Sequence, residues 1–311
     1  MPNLLAGLRR HTDRITAIVT VGDDGGSSGR LRRSLGLSPP GDVRRCLLAL
    51  ADVPQRVRDL CEFRFEGTDI EGHPLGNLVL AALAKLAGDD FPAAVREVST
   101  FLRLRGQVVP CASQKLALVA VHPDGSKSTG EMAITQSEKP IVGMELRPDP
   151  GPAPPEALEA IRQADLLVLA PGSLVTSIVP HLLVPDIRAE VFAAVQARGV
   201  PLVFVVNLMT QPGETRGFDA LAHIAVFRRL AGEVPLTAVI AHDGRFPAEV
   251  VERYRAQGAE PVVPPVASDA DGLEWRVFPL AQVVADGKVR HDPARLARSV
   301  LNVLAGRAAG V

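Results

Sequence analysis

The sequence is poor in aromatic residues and in cysteine, and neither sign of charge is in excess. Aromatic residues make up 4% of the 311 residues, which argues against a surface that stacks on nucleic-acid bases. The 34 lysines and arginines are balanced by 35 aspartates and glutamates, so the sequence predicts no nucleic-acid partner. Three widely spaced cysteines, Cys46, Cys61 and Cys111, fit neither a disulfide framework nor a zinc motif and are typical of a reducing compartment.

Long hydrophobic runs are also missing. No uninterrupted apolar run reaches about 18 residues, the length that a membrane helix needs, and the first residues show no signal-peptide pattern. Hydrophobic residues nevertheless make up 47% of the chain, which excludes a disordered protein and suffices for a large core without disulfides. We therefore predict a cytoplasmic protein with no membrane insertion.

Short runs rich in valine and isoleucine alternate with longer helical patterns, which is typical of an α/β fold with a mostly parallel, doubly wound sheet. The predicted strands are 16–21, 116–121, 166–170, 202–206, 236–241 and 262–266. The predicted helices are 43–51, 77–87, 93–104, 156–164, 187–197, 248–257 and 294–304. A β-hairpin is expected around the turn 123–126, and the proline-rich stretch 147–155 should be an extended connector. We predict a core from residues 1–50 and 151–311, with 51–150 as an inserted helical and hairpin lobe.

The loop that follows the first predicted strand carries the densest set of polar residues. Ligands bind beyond the carboxyl ends of parallel strands, where loops lead into helix N-termini. Asp23 and Asp24 could hold Mg²⁺ against a phosphate, and Arg30 could bind a phosphate or carboxylate. Backbone N–H groups and hydroxyls for an anion are offered by Gly25, Gly26, Ser27 and Ser28.

Two later loops have the same position after a strand. Gly172 and Ser173 follow the predicted strand 166–170, where Ser173 could cap a helix and donate to an anion. Asn207, Thr210 and Gln211 follow the strand 202–206 and offer amide and hydroxyl groups suited to a base or a sugar.

Three further residues stand at predicted helix starts. His73 and Asn77 would face the N-terminus of the helix 77–87, although an isolated histidine is more often structural than catalytic. Asp42 is most simply an N-cap, and a role as a metal ligand is compatible with its position.

Two enzyme classes are disfavoured by the motifs. Residues 25–29 satisfy G-x-S-x-G, but several residues separate them from the preceding strand, and the neighbouring carboxylates would oppose an oxyanion. A nicotinamide oxidoreductase is disfavoured because G-x-G-x-x-G follows none of the predicted strands.

Six segments, taken in order, resemble the gluconeogenesis factors, a bacterial cell-shape family related to the 2-phospho-lactate transferases of coenzyme F420 synthesis. They are 20–32, 40–44, 72–77, 171–174, 207–215 and 289–292. The resemblance spans nearly the whole chain and implies a Rossmann-like fold, a cytoplasmic homodimer and a cleft for a nucleotide sugar such as UDP-N-acetylglucosamine. In the transferase branch the cleft takes a guanosine diphospho-lactate donor, Mg²⁺ and a deazaflavin acceptor.

The resemblance also implies roles for individual residues. Asp23 and Asp24 would face the metal or the reacting phosphate, and Arg290 would meet the diphosphate or the sugar. The nucleotide side would be lined by Gly172, Ser173, Asn207 and Gln211. Two hypotheses stay open: a regulator that binds a nucleotide sugar without turnover, and a transferase that uses Mg²⁺. Neither implies a tightly bound organic cofactor.

The chain departs from the family pattern in three places. The family normally begins with a strand and a Gly-Gly-Gly-Thr-Gly loop ahead of a helix that resembles residues 4–9. This sequence begins inside that helix. We expect that its start site has been placed too late. Val175 stands where the family tends to have tyrosine, and Arg45 stands where the gluconeogenesis factors tend to have asparagine.

Overall fold

The computed structural model describes residues 1–22, 24–35, 40–67, 70–266 and 272–308, and it shows a mixed α/β fold. The helices are α1 (Pro2–Leu8), α2 (Gly26–Leu35), α3 (Gly41–Leu50), α4 (Gln55–Glu62), α5 (Leu75–Leu86), α6 (Phe91–Phe101), α7 (Glu131–Thr135), α8 (Pro155–Gln163), α9 (Val179–Leu182), α10 (Pro185–Arg198), α11 (Ala220–Ala231), α12 (Ala248–Arg255) and α13 (Pro293–Ala308). The strands are β1 (Thr16–Val19), β2 (Gln107–Pro110), β3 (Ala117–Val121), β4 (Lys127–Thr129), β5 (Gly143–Arg147), β6 (Leu167–Leu169), β7 (Leu202–Val205), β8 (Ala238–His242), β9 (Glu274–Phe278), β10 (Ala281–Val283) and β11 (Val289–His291). All seven predicted helices are present with shifted ends, and a π-helical segment, Leu174–Ile178, precedes α9.

The larger sheet is parallel and has the strand order β6-β7-β8-β9. Every residue of β7 and β8 is buried, as expected for central strands covered by helices on both faces. This arrangement confirms the predicted doubly wound α/β class. Consecutive apolar residues in these strands are the reason the sequence predicts them.

A second parallel pair is formed by β1 and β2, with Thr16 opposite Gln107. The sequence patterns did not predict β2, which is only four residues long and ends in Pro110. The strand lies within residues 51–150, and the division of the chain at residues 50 and 150 stays a prediction.

Strands β3, β4 and β5 form a separate antiparallel sheet in the order β4-β3-β5. The turn between β3 and β4 contains Gly125 with φ 79°, and the Gly125 N–H donates to the His122 carbonyl at 2.9 Å. This geometry confirms the predicted hairpin. The segment between β5 and α8 contains neither helix nor strand, as predicted for a connector, but it is packed rather than freely extended, because Ala153 and Pro154 are buried.

The predicted strand 262–266 is wrong. None of these five residues belongs to a strand in the structure. Pro264 and Pro265 fall within the run, and proline has no N–H group to donate to a sheet. One edge of the larger parallel sheet is formed by β9, which pairs with β8 along its whole length.

The principal core joins the larger sheet to its helices. Phe204 of β7 and Phe227 of α11 are fully buried, with ring centroids 5.1 Å apart. Among the described residues, no helix combines the length and the apolar character that crossing a membrane requires.

Candidate functional site

A cavity of about 1680 Å³ lies beside the carboxyl ends of β6 and β7. Its walls come from β1 and β6, from the loops after β6 and β7, from β11 and from the helices α1, α3 and α8. It gathers seven of the predicted site residues: Asp42, Gly172, Ser173, Asn207, Thr210, Gln211 and Arg290. The fold therefore brings together loops that are far apart in the sequence, as expected for an open parallel sheet.

The Ser173 hydroxyl holds its loop in place. Ser173 Oγ accepts hydrogen bonds from the Thr176 N–H at 3.0 Å and from Thr176 Oγ1 at 2.6 Å, and it donates to Glu214 Oε2. These three bonds engage the hydroxyl and make Ser173 the N-cap of the π-helical segment. A ligand at this loop would therefore meet backbone groups rather than the Ser173 hydroxyl.

Glu214 is a site residue that the sequence patterns did not single out. It is buried and accepts from the Val175 N–H at 3.3 Å, and its Oε1 atom has no hydrogen-bond partner in the described ranges of the chain. Burial raises the pKa of Glu214, and the hydrogen bond from Ser173 acts in the opposite direction. The only sequence signal is that Glu214 lies in the polar string 207–215, where it is the single acid.

Asn207 joins the two loops at the floor of the cavity. Its Nδ2 donates to the Gly172 carbonyl at 2.7 Å and to Gln211 Oε1 at 3.3 Å. Asn207 Oδ1 and Gln211 Nε2 make no hydrogen bond within the described part of the chain, so they are available to hydrogen-bond a polar ligand. Thr210 has a structural contact instead, because its hydroxyl accepts from the Glu260 N–H at 2.9 Å.

Charged side chains lie on two walls of the cavity. Arg290 is exposed on β11, and Asp42 forms an ion pair with Arg45 on α3. His291 is buried beside Arg290, and burial, with smaller contributions from the Met1 amino group and His242, lowers its pKa to about 3. His291 is therefore neutral at physiological pH, and the Arg290 guanidinium supplies positive charge on its wall.

A second cluster forms at the start of α2, outside the lining of the cavity. Ser27 Oγ lies 2.8 Å from His73 Nδ1 and accepts from Asn77 Nδ2 at 3.0 Å. Arg30 Nε donates to His73 Nε2 at 3.2 Å, so Nε2 is an acceptor and the proton of neutral His73 is on Nδ1. Burial lowers the pKa of His73, and the charges of Arg30 and Arg64 lower it further.

This tautomer decides what Ser27 can do. His73 Nδ1 donates to Ser27 Oγ and cannot take its proton, so the pair lacks the general base that a serine nucleophile needs. The hydroxyl accepts two hydrogen bonds and has its own proton to offer to an acceptor. The geometry therefore agrees with the rejection of a hydrolase.

The other residues of the first loop tie elements together. Asp24 Oδ1 accepts from the Met132 N–H at 2.9 Å, which connects the loop to α7. Ser28 Oγ accepts from the Gly41 N–H at 3.1 Å, which connects α2 to α3. Gly25 precedes α2 and Gly26 is its first residue.

The described residues do not by themselves fit a Mg²⁺ site. Of the three candidate ligands, Asp24 caps α7, Asp42 pairs with Arg45, and Asp23 lies outside the described residues. Within the described ranges, no group of three histidine, cysteine, aspartate or glutamate residues is placed to hold a metal ion.

The fold and the cavity define an α/β protein with a cleft at its parallel strands, lined by apolar residues and by the polar loops after β6 and β7. Residues 1–279 match the family described as 2-phospho-L-lactate transferase CofD, and the chain belongs to this family. Among its relatives, the gluconeogenesis factor of Bacillus subtilis is 40% identical, with 97% of this chain and 94% of the relative aligned. The gluconeogenesis factor of Listeria monocytogenes is 37% identical over 98% of this chain and 92% of the relative.

A solved structure supports the same assignment. The crystal structure of a UPF0052 family member from Bacillus halodurans is similar, with a TM-score of 0.90 and 37% sequence identity. The match covers 96% of each chain. The family resemblance expected from the sequence motifs is therefore confirmed.

Proposed function

We propose that this protein binds a nucleotide sugar of the UDP-N-acetylglucosamine type and acts as a regulator of cell shape and of carbon flux into cell-wall synthesis. The observation that carries the proposal is the cleft, whose lining includes amide groups on the loop after β7 and a cation on β11. Asn207 Oδ1 and Gln211 Nε2 suit the edge of a base, and Arg290 suits a diphosphate. The relatives named gluconeogenesis factor support the regulatory branch.

Isothermal titration of UDP-N-acetylglucosamine tests this proposal. Arg290→Ala should weaken binding by about 1.5–3 kcal/mol, or roughly 10- to 150-fold, the range for a hydrogen bond to a charged group. Arg10→Ala is the matched control, because Arg10 is exposed and does not line the cavity. Equal affinity of Arg290→Ala and the parent chain would remove Arg290 from the site, and no binding to the parent chain would refute the proposal.

The description of the matched family favours one alternative, a transferase that moves a phospho-lactyl group from a guanosine diphospho-lactate donor to a deazaflavin with Mg²⁺ and releases guanosine monophosphate. Its test is product formation from these components, measured by mass spectrometry. The transferase hypothesis requires a product whose formation depends on the deazaflavin and is lost in Asp24→Ala. A binding regulator gives no product and retains its affinity for the nucleotide sugar.

The family resemblance further supports a homodimer in the cytoplasm, which we include in the proposal. Light scattering of the purified chain measures its mass in solution. A mass near twice 33.0 kDa is the expected result.

A further inference from the structure

Arg44 is a buried cation that forms no ion pair within the described part of the chain. The side chain leaves α3 and is only 8% exposed. Its Nε and Nη1 atoms are buried and have no hydrogen-bond partner among the residues that the structure describes. Among the described residues, no carboxylate forms an ion pair with it; the acidic partner on α3, Asp42, pairs with Arg45. A buried guanidinium in this state is strongly unfavourable unless another group satisfies it.

The Arg44 side chain lies across the first turn of α5. A Cβ atom at Gly76 would be 2.9 Å from Arg44 Cδ and 3.2 Å from Arg44 Cγ, so glycine makes the space for this side chain. Helix α5 has 12 residues, and its N-cap, Pro74, supplies no side-chain hydrogen bond. The positive end of the α5 dipole and the guanidinium therefore lie together.

A second buried group in the same turn also lacks a partner. Asn77 is 2% exposed, and its Oδ1 atom is buried without a hydrogen bond, while Nδ2 donates to Ser27 Oγ. Burial is the largest cause of the lowered pKa of Arg44, the charge of Glu62 opposes it, and the charges of Arg45 and Arg64 add to it. Within the described residues, two buried donors of Arg44 and one buried acceptor of Asn77 thus lie without hydrogen-bond partners near one helix N-terminus.

We propose that Arg44 binds a phosphate group at the N-terminus of α5. The planar guanidinium can hold two phosphate oxygens, and a protonated phosphate oxygen or a bridging water can donate to Asn77 Oδ1. The site is separate from the nucleotide cleft, because Asp42 and Arg45 line the cavity and Arg44 does not. It does not rest on the proposed nucleotide-sugar function. The group could be free phosphate or the end of a phosphomonoester, since both present the same oxygens.

Thermal unfolding in phosphate-free buffer, with sodium phosphate or glycerol phosphate added at constant ionic strength, tests the proposal. The midpoint for the parent chain should rise with phosphate, because a ligand that binds the folded state stabilises it. Arg290→Ala, which removes the cation of the cleft, should keep this response. A response to both probes identifies a phosphomonoester site, and a response to inorganic phosphate alone identifies a closed site for the free anion.

Arg44→Met is the decisive variant. It should abolish the phosphate response and, without phosphate, melt no lower than the parent chain, because a buried charge without an ion pair has been replaced by an apolar side chain of similar size. If Arg44→Met does not fold, Arg44→Lys tests the proposal instead. Loss of the bidentate hydrogen bond to phosphate should raise the half-saturating phosphate concentration at least tenfold. A parent-like phosphate response in either variant overturns the proposal. The proposal is also overturned if Arg44→Met folds but, in the absence of phosphate, melts well below the parent chain. The guanidinium would then already be satisfied by the protein.

Discussion

The buried His291 predicts how the stability of the fold depends on pH. Its pKa is about 3 in the folded protein, against an ordinary value of 6.5, because burial disfavours the charged imidazole. The unfolded chain therefore binds a proton at a higher pH than the folded chain does. The stability that neutral His291 contributes is complete above about pH 6.5 and is lost as the pH falls from there towards about 3. At about pH 4.5 the loss from this one residue is about 2.7 kcal/mol.

Urea unfolding followed by circular dichroism, at about pH 7.5 and about pH 4.5, measures this loss. His291→Asn keeps an N–H group but cannot titrate, so its free energy of unfolding should fall by about 2.7 kcal/mol less over this interval than that of the parent chain. His11→Asn, which replaces an exposed histidine, controls for the loss of any histidine. Equal losses in the parent chain and in His291→Asn would refute the argument.

Three further predictions concern the core, one turn and the cysteines. Phe227→Ala removes a fully buried ring from the principal core and should lower the free energy of unfolding by about 3–5 kcal/mol in urea titrations, whereas a loss below about 1 kcal/mol would contradict the packing. Gly130→Ala should destabilise the protein by about 1–3 kcal/mol in the same assay, because Gly130 has φ 92° and a Cβ atom would collide with the Asp24 carboxylate. Burial raises the pKa of Cys46 and of Cys111 to about 12, so a thiol reagent at neutral pH should modify the partly exposed Cys61 and spare the other two until urea is added; rapid modification of all three in the folded protein would contradict their burial.

The sequence predicts those parts of the fold that have a strong local pattern. Strands β7 and β8 are apolar at consecutive positions because both of their faces are covered, and this pattern is visible without a structure. Strand β2 has only two valines between Gln107 and Pro110, and β9 alternates charged and apolar residues at the sheet edge, so neither pattern was strong enough to predict the strand. The length of a run and its burial on both faces therefore decide what can be predicted.

The contacts of the candidate site are likewise only partly predictable from the sequence. The loops after β6 and β7 follow predicted strands, so the sequence predicts that Gly172 and Asn207 meet at one sheet edge. The contact between Ser173 and Glu214 joins positions 41 residues apart, and no local pattern indicates it. The approach of Arg44 to Gly76 likewise depends on how α3 packs against α5.

The separation of the two parallel sheets has a mechanical consequence. Strands β1 and β6 both line the cavity, but among the described strands β1 pairs only with β2 and β6 only with β7. Contacts between side chains and helices, rather than backbone hydrogen bonds between strands, therefore connect one sheet to the other. A molecule in the cavity that contacted α3 on one wall and the loop after β7 on the other would connect the two sheets. Binding in the cleft would then supply a link between the sheets that backbone hydrogen bonds do not provide among the described strands.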